Sequence, residues 1–277
     1  MKTLKDKVAA VTGAASGIGR ALATNLAARG CHLAISDIDE AGLRETASLV
    51  AGRSTNVKVT THLVDVSDRE QVYRYADDVV GRHGRVHIII NNAGVAVGDT
   101  IEEVSYEDFE WIVNINFWGV VYGTKAFLPY LKKEAEGHVV NISSINGIVP
   151  NPLNGPYCST KFAVRGFTET LRQELHGTSV GVTVVHPGGI GTNIVRNARI
   201  RRHINPNKKP DELAVDFDQN VVRNTADFAA QAIIAGIEKN KQRVLVGGDA
   251  RLLDRMTRLF PEGASRFVSY MTHKYSR

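Results

Sequence analysis

The first forty residues place an apolar run, a glycine-rich turn and an amphipathic stretch in direct succession, and this order constrains the fold more than any other feature. The apolar run covers residues 7–11, and the amphipathic stretch carries Leu22 and Leu26 before Gly30. The run is typical of a buried strand and the stretch is typical of a helix, which Gly30 can end. A strand that passes through a tight turn into a helix is the opening unit of an α/β fold.

The turn has the spacing G-x-x-x-G-x-G and precedes the helix directly. It comprises Gly13, Ser16, Gly17, Ile18 and Gly19. Glycine lets a backbone approach a ligand closely, and a helix N-terminus offers free N–H groups with a partial positive charge. The turn therefore predicts a site for a pyrophosphate, with an ordinary tight turn as the alternative.

The next predicted strand, residues 33–36, ends at Asp37. A carboxylate at this point can bind the ribose hydroxyls of an adenosine and repels a 2′-phosphate. The nearest basic residue, Arg20, lies inside the first predicted helix, where it could face away. We therefore predict NAD rather than NADP as the cofactor.

A third strand is predicted over residues 57–64, followed by Asp65 and Val66. Residues 67–70 have the form of a capping box, which opens a helix that we expect to run to Gly81. Asp65 could accept from the exocyclic amine of adenine, or it could serve only to cap this helix. The sequence leaves both roles open.

Tyr157 and Lys161 stand four residues apart in a stretch that we predict to be helical. Side chains with this spacing lie on one face of a helix, about one turn apart. A free tyrosine has a pKa near ~10, and a fixed cation favours its phenolate. We therefore expect Lys161 to lower the pKa of Tyr157, so that the phenol can trade protons with an alcohol. A chance pair is the alternative.

Four motifs share one order and spacing with a known family. They are residues 12–19 (TGAASGIG), 91–94 (NNAG), 157–161 (YCSTK) and 187–188 (PG). Over about residues 5–248 the chain thereby resembles the short-chain dehydrogenase/reductase family. The resemblance implies a single-domain, doubly wound Rossmann-type three-layer sandwich with a seven-stranded parallel sheet. It also implies a catalytic domain over residues 1–248, with a variable substrate lid at about 193–225, and a helical extension of that domain over 249–277.

The resemblance further implies four catalytic residues. They are Asn116, Ser144, Tyr157 and Lys161. Ser144 lies thirteen residues before Tyr157 and would orient a carbonyl oxygen, whereas Ser143 would bond the backbone. Asn116 would hold, through its side chain or its local backbone, a water that links Lys161 to solvent; a satisfied packing amide is the alternative.

Cofactor contacts are implied along the whole carboxyl edge of the predicted sheet. The implied residues are Gly13, Ser16, Gly17, Ile18, Gly19, Asp37, Asp65, Val66, Asn92, Ala93, Gly94, Tyr157, Lys161, Pro187, Gly188, Ile190 and Thr192. The stretch from Pro187 to Thr192 would hold the nicotinamide carboxamide and the pyrophosphate. No metal site is predicted.

Two later segments have open interpretations. Between Ile194 and Asp211 the charged residues are all basic: Arg196, Arg199, Arg201, Arg202, Lys208 and Lys209. This run could meet an anionic substrate or be a mobile, solvated loop. Further on, an apolar helical stripe carries arginines beside it: Leu252, Leu253, Met256, Leu259 and Phe260, with Arg251, Arg255 and Arg258. In order of preference, it could close the pocket, bury at an oligomer interface or rest on a membrane surface.

The composition narrows the class of protein. The chain has 277 residues, 43% of them hydrophobic, and a net charge of +5. Two cysteines, Cys31 and Cys158, are too few for a disulfide framework. With no leader pattern and no apolar run of membrane-spanning length, we expect a soluble cytoplasmic protein. The family resemblance implies that the apolar helix beginning near Ser105 packs against a second subunit, in a homodimer or homotetramer; a helix buried in the core is the alternative. No aromatic interleaving or recognition fold points to nucleic acid.

We therefore predict an NAD-dependent oxidoreductase that interconverts a secondary alcohol and a ketone, with Tyr157 as general acid and base. The apolar loop over residues 145–156 favours a hydrophobic substrate. Two alternatives stay open: an NADPH-linked reductase of ketoacyl thioesters, and a non-catalytic sensor or scaffold that binds a dinucleotide.

Overall fold

Seven parallel strands form the central sheet in the computed structural model, which describes residues 1–54, 56–202, 207–209, 212–263, 266, 268 and 270. The strands are β1 (Val8–Thr12), β2 (His32–Asp37), β3 (Val59–Leu63), β4 (Ile88–Asn91), β6 (Gly137–Ile142), β7 (Val180–Pro187) and β9 (Arg243–Val246). Their order is β3-β2-β1-β4-β6-β7-β9, so the direction of winding reverses between β1 and β4. Ligands bind at such a switch point, beside the carboxyl ends of the strands. The predicted seven-stranded fold is confirmed.

Helices cover both faces of this sheet. They are α1 (Gly17–Ala27), α2 (Glu40–Ala51), α3 (Arg69–His83), α4 (Tyr106–Val113), α5 (Gly119–Leu131), α6 (Gly155–Glu174), α7 (Leu213–Asn220), α8 (Ala226–Glu238) and α9 (Gly248–Leu259). One buried cluster joins the sheet to α1, α2 and α8, and a second joins it to α3, α5 and α6. Every residue of β1 and β4 is buried, as expected for strands covered on both faces.

The start of α3 differs from the predicted capping box by one residue. Asp68, not Ser67, caps the helix: its carboxylate accepts from the Gln71 N–H at 3.0 Å. The Gln71 side chain donates back to Asp68 at 2.9 Å. The helix also continues two residues past Gly81 to His83, where Gly84 takes up a left-handed conformation with φ of 76°. A pair formed by Asp68 and Gln71 thus replaces the predicted Ser–Glu box.

The apolar helix predicted from Ser105 is interrupted. Ser105 does cap α4, accepting from the Asp108 N–H at 3.1 Å. A π-helical turn, Asn114–Trp118, then separates α4 from α5. Such turns are rare and occur often at functional sites. Here the turn carries Asn116, one of the predicted catalytic residues.

A second, two-stranded sheet lies outside the main one and was not predicted. Strand β5 (Val97–Gly98) follows the end of β4, and β8 (Arg199–Ile200) belongs to the predicted lid. They pair in parallel through Val97 with Arg199 and Gly98 with Ile200. Residues 203–206 and 210–211 of the lid lie outside the described residues. The division into residues 1–248 and 249–277 stays a prediction.

Two further observations concern the cysteines and the hydropathy of the helices. Both cysteines, Cys31 and Cys158, are free and buried. Within the described parts of the chain, no helix is both long enough and apolar enough to cross a bilayer.

Candidate functional site

The glycine turn between β1 and α1 has the shape that the sequence predicts. Gly13 and Gly17 adopt left-handed backbone conformations, with φ of 66° and 53°. A β-carbon on Gly19 would lie 2.1 Å from the Gly13 carbonyl oxygen, so a larger residue could not enter here. The Asn92 amide donates to the carbonyl oxygens of Thr12 and Gly13 at 2.9 and 3.0 Å. The turn is thereby fixed to the end of β4.

The N-terminus of α1 is open to an anion. Ser16 occupies the cap position in an extended conformation and makes no side-chain capping bond. The cap side chain therefore leaves the first N–H groups of α1 to a ligand, at the positive end of the helix dipole. Thr192 reaches the same place, because a β-carbon on Gly17 would lie 3.3 Å from the Thr192 methyl. Residues from two predicted cofactor motifs thus meet here.

Asp37 ends β2 beside this turn. Its carboxylate accepts from the Ala15 N–H at 2.9 Å and from the Ile38 N–H at 2.8 Å. A carboxylate offers about four lone-pair directions, so capacity for further donors is left. Arg20 is held by α2, with its guanidinium 2.7 Å from the Glu45 carboxylate. Among the described residues no cation forms an ion pair with Asp37.

Asp65 and Val66 follow β3 on the same edge. The Asp65 carboxylate accepts from the Ser67 hydroxyl at 2.7 Å and its N–H at 2.9 Å. It therefore does not cap α3, and that alternative is wrong. Val66 is buried, with its side chain against Gly119 at the start of α5. Val66 therefore presents backbone rather than side chain to any ligand here.

Tyr157 and Lys161 lie together on α6, as their spacing predicts. The Lys161 ammonium is 5.5 Å from the centre of the Tyr157 ring and donates to the Ile142 carbonyl oxygen at 3.1 Å. Lys161 is only 3% exposed. A β-carbon on Gly94 would lie 3.4 Å from this ammonium and 3.2 Å from the Asn116 amide oxygen. The motif at the end of β4 thus lies directly beside the Tyr–Lys pair.

The pKa values of Tyr157 and Lys161 correct one prediction. Burial raises the pKa of Tyr157 to about 12, and a hydrogen bond with Ser144 opposes this rise. Burial also lowers the pKa of Lys161 to about 8. The expected lowering of the Tyr157 pKa by Lys161 is therefore wrong for the protein alone. In both groups the loss of water on burial is the largest cause of the pKa shift, because it disfavours the charged form.

Ser144 is poised as a hydrogen-bond donor. Its hydroxyl oxygen accepts from the Asn146 N–H at 3.1 Å, so its hydroxyl hydrogen can bond the Tyr157 oxygen in the protein alone or a substrate oxygen when one is present. Ser143 instead donates to the Lys161 carbonyl oxygen at 2.8 Å, as predicted. The two adjacent serines thus have different tasks, one turned to the site and one to the α6 backbone.

His186 was not predicted as a site residue. It is fully buried, and its Nδ1 lies 2.9 Å from the Ser144 carbonyl oxygen. Burial lowers the pKa of His186 to about 4, so the ring is neutral at pH 7 and its Nδ1–H donates this bond. His186 therefore fixes the backbone of Ser144. A histidine directly before Pro187 at the end of a strand was the available signal.

Asn116 uses its whole side chain for packing. Its amide oxygen accepts from the Val95 N–H at 2.8 Å, and its amide nitrogen donates to the Val95 carbonyl at 2.9 Å and to the Thr160 hydroxyl at 3.3 Å. The satisfied packing role thus describes this side chain. A water relay at this position would have to use the backbone of the π turn.

The loop after β7 is tied to the C-terminal extension. The Gly189 N–H donates to the Asp249 carboxylate at 2.7 Å, at the start of α9. The same oxygen would lie 2.1 Å from a β-carbon on Gly188. Ile190 pairs with Asn224 in a short bridge. Asp249 therefore shapes the loop that carries Pro187, Gly188 and Ile190, a role that the sequence did not suggest.

The arginines of the lid are bound to acidic partners. The buried Asp108 carboxylate meets Arg199 at 2.7 Å and Arg201 at 2.9 Å, and Arg199 also stacks on Trp111 at 3.8 Å. The further ion pairs are Arg202 with Glu103 and Asp99, Arg196 with Asp218, and Lys208 with Asp216. These side chains are paired with acidic groups, while those of Arg196, Arg201 and Arg202 each keep more than half of their surface exposed. Arg199, Arg201 and Arg202 fasten the lid to α4 and the segment before it, whereas Arg196 and Lys208 pair with α7 inside the lid.

The ion pairs between the lid and α4 depend on the charge of Asp108. Burial by itself would raise the pKa of this carboxyl, but hydrogen bonds and charge from Arg199 and Arg201 outweigh burial and lower it. We expect Asp108→Asn to release the two arginines, so that trypsin cleaves after them about tenfold faster, in proportion to the open population. Glu107→Gln removes a neighbouring exposed charge and is the control. Equal cleavage rates in both variants would show that Asp108 does not hold the lid.

No group of three or more His, Cys, Asp or Glu side chains is placed to hold a metal ion in the described part of the chain.

Comparisons with known proteins agree with this geometry. Residues 7–203 match the family model described as short chain dehydrogenase. SadH of Mycobacterium tuberculosis, which carries the name of an oxidoreductase, is 41% identical over 277 residues, covering 99% of this chain and 98% of SadH.

Two solved structures extend the comparison to bound cofactors. A short chain dehydrogenase/reductase from Burkholderia phymatum in complex with NAD is 31% identical, with a TM-score of 0.84 and coverage of 95% of this chain and 96% of that chain. An alcohol dehydrogenase from Thermococcus sibiricus complexed with 5-hydroxy-NADP is 28% identical, with a TM-score of 0.72 and coverage of 86% and 95%.

Proposed function

Because the chain belongs to the short-chain dehydrogenase/reductase family, we propose that it interconverts a secondary alcohol and a ketone with NAD as its cofactor. The observation that carries the proposal is the cluster of Tyr157, Lys161 and Ser144 beside the glycine turn, at the carboxyl ends of the strands. The name of the Thermococcus sibiricus neighbour, an alcohol dehydrogenase, supports this reaction class.

The residues of the carboxyl edge fit a dinucleotide. The uncapped N-terminus of α1 and the close-packed glycines suit a pyrophosphate, and Asp37 has lone pairs left for ribose hydroxyls. Bound NAD would supply the carbon that accepts a hydride from the alcohol or, when reduced, gives one to the ketone. The chain itself has to bind, orient and move one proton.

Tyr157 is the group we assign to the proton. With a pKa of about 12 it is a phenol at neutral pH, ready to protonate the oxygen of a ketone as that oxygen gains negative charge. Ser144, whose hydroxyl hydrogen is not used by Asn146, donates to the same oxygen. Lys161 keeps most of its charge at pH 7, because its pKa is about 8, and steadies the phenolate that remains.

Cofactor choice rests on Asp37. We expect Asp37→Ala to weaken NADH binding by about 10- to 100-fold, because a carboxylate that accepts from ribose hydroxyls contributes about 1.5–3 kcal/mol. NADPH binding should hold or improve, since the charge that repels its phosphate is gone. Fluorescence titration with both cofactors measures the ratio. Glu40→Gln, an exposed neighbour, is the control. An unchanged ratio in Asp37→Ala would contradict this role, even if both affinities fell.

The two rival functions have specific arguments against them. An NADPH-linked reductase of ketoacyl thioesters would need a cation near the adenosine ribose, but Arg20 is occupied by Glu45 and Thr46. A non-catalytic sensor would have no use for a donor hydroxyl, a phenol and a buried ammonium in one place.

The proposal is tested by an activity screen. The protein is mixed with NAD or NADP and a panel of secondary alcohols at raised pH, where removal of the alcohol proton is favoured, and absorbance of the reduced cofactor is followed. Turnover with NAD, and less with NADP, is the expected result. Turnover with NADP alone would favour the reductase alternative, and binding without turnover would favour the sensor.

We also propose a homodimer or homotetramer that works in the cytoplasm. The outer side of α5 and α6 supports self-association, since Trp118 stacks on Tyr122 and stays 42% exposed, and Phe162 is 40% exposed. A 400 Å³ pocket opens on this side, lined by Phe117, Ala163, Phe167, Thr170, Leu171 and Glu174. Large apolar side chains of this kind are typical of subunit interfaces.

A further inference from the structure

The helix α9 leaves part of its apolar stripe uncovered, while Leu253 and Met256 are half-buried. Its inner side is anchored by the buried Ala250 and Asp254. On the outer side Leu252 is 60% exposed and Leu259 is 71% exposed, and Phe260, which follows the helix, is 67% exposed. Leu252 and Leu259 are seven residues apart and therefore lie on the same side of the helix, two turns apart. Two exposed leucines on one side of a helix, with an exposed phenylalanine directly after it, indicate a surface that another apolar phase covers.

The charge beside this stripe is positive. Arg251 and Arg255 are exposed and form no ion pair within the described residues, whereas Arg258 is bound to Asp254 at 3.0 Å. Asp254 is itself turned inward, where it also meets Arg243 at 2.9 Å. The acidic residue in the middle of α9 thus adds nothing to the outer surface. The outer side of α9 presents leucines flanked by two free guanidinium groups.

The position of α9 relates it to the proposed active site. Its first turn supplies Asp249, which holds Gly189 in the loop after β7. Its body contacts the 3₁₀ turn Ile145–Gly147, which directly follows Ser144. A surface that the outer side of α9 rests on would therefore lie near the substrate side of the sheet.

We propose that α9 docks the protein on an anionic lipid surface. A helix that combines an apolar row with arginines, and has low overall hydrophobicity, lies in the plane of a membrane interface with its apolar side chains among the lipids. A second copy is a poorer occupant, because a two-fold contact would bring the same unpaired arginines against each other. Anionic lipids instead complement both kinds of side chain, because their acyl chains can take up the leucines and their headgroups can pair with the arginines. These observations favour attachment to a membrane over the other two roles predicted for this helix, closing the pocket and burial at an oligomer interface.

The test is vesicle co-sedimentation of the full chain. One vesicle type is phosphatidylcholine alone and the other contains about one part phosphatidylglycerol to two parts phosphatidylcholine. We expect binding to the anionic vesicles, weakened by salt, and little to the neutral ones. Arg251→Glu with Arg255→Glu should reduce binding at least about 30-fold, since each arginine near such a surface contributes about fivefold. Leu252→Ser with Leu259→Ser should reduce it at least about tenfold.

Matched controls come from the far side of the molecule. Leu63→Ser changes a leucine that is 64% exposed on β3, and Arg53→Glu with Arg85→Glu reverses two exposed arginines. These variants should bind vesicles as the parent protein does. The proposal is overturned if the parent binds neither vesicle, if both vesicle types bind it equally, or if the α9 variants bind like the controls. It is also overturned if sedimentation velocity shows that Leu252→Ser with Leu259→Ser dissociates an oligomer while vesicle binding is unchanged.

Discussion

Replacing Tyr157 by Phe is expected to lower turnover by about 10³- to 10⁴-fold, which is the upper range for loss of a general acid or base. The phenyl ring keeps its contacts on α6, and only the hydroxyl that exchanges the proton is lost. NADH binding should therefore stay within a few-fold of the parent value. Steady-state kinetics and a fluorescence titration of NADH measure the two effects separately.

Tyr75→Phe is the matched control for this variant. Tyr75 is also buried with its hydroxyl in a hydrogen bond, to the Ala34 carbonyl oxygen at 2.8 Å, but it lies on α3, away from the proposed site. Its loss should lower thermal stability and leave turnover nearly unchanged. If Tyr157→Phe turned over substrate like Tyr75→Phe, another group would have to move the proton.

Replacing Ser144 by Ala is expected to lower turnover by about 10²- to 10³-fold, as for removal of one donor to a developing oxyanion. The methyl group cannot donate to the substrate oxygen, while His186 still bonds the Ser144 backbone and keeps the loop in place. The effect should fall on turnover more than on cofactor affinity. Pre-steady-state rates of NADH formation measure the chemical step directly.

Ser143 is the matched control for Ser144, because its hydroxyl bonds the backbone of α6 and not the substrate. Ser143→Ala removes the bond to the Lys161 carbonyl oxygen, and a buried hydrogen bond of this kind contributes about 1 kcal/mol to stability. We expect a lower melting temperature and a modest change in rate. A larger loss of turnover in Ser143→Ala than in Ser144→Ala would reverse the assignment of the two residues.

Local sequence patterns predicted the frame of the molecule well. The second strand, predicted over residues 33–36 with its end at Asp37, is observed as His32–Asp37, because a short apolar run between polar residues favours a buried strand. The glycine turn was predicted because a β-carbon would be strained at Gly13 and Gly17, where φ is positive, and would clash with the backbone at Gly19. The spacing of Tyr157 and Lys161 predicted their contact, since both lie on one uninterrupted helix.

Properties that depend on distant contacts were not predictable. Asp108 and Arg199 are 91 residues apart in the chain, so their ion pair has no local signal. The direction of the Tyr157 pKa shift depends on how much water the fold removes, and the sequence shows the cation but not the burial. The packing role of the Asn116 amide was one of two predicted alternatives, but no propensity rule identifies the π turn that carries it.

The central claim is that a hydride passes directly between an alcohol carbon and the cofactor, while Tyr157 moves the proton. The most direct measurement supplies secondary alcohols deuterated at the carbinol carbon, together with NAD, and follows the label by mass spectrometry. The account predicts deuterium in the reduced cofactor with the parent protein and a rate lower by the factor given above with Tyr157→Phe. Reduced cofactor that carries hydrogen from the solvent, or labelled cofactor formed equally fast by Tyr157→Phe, would contradict it.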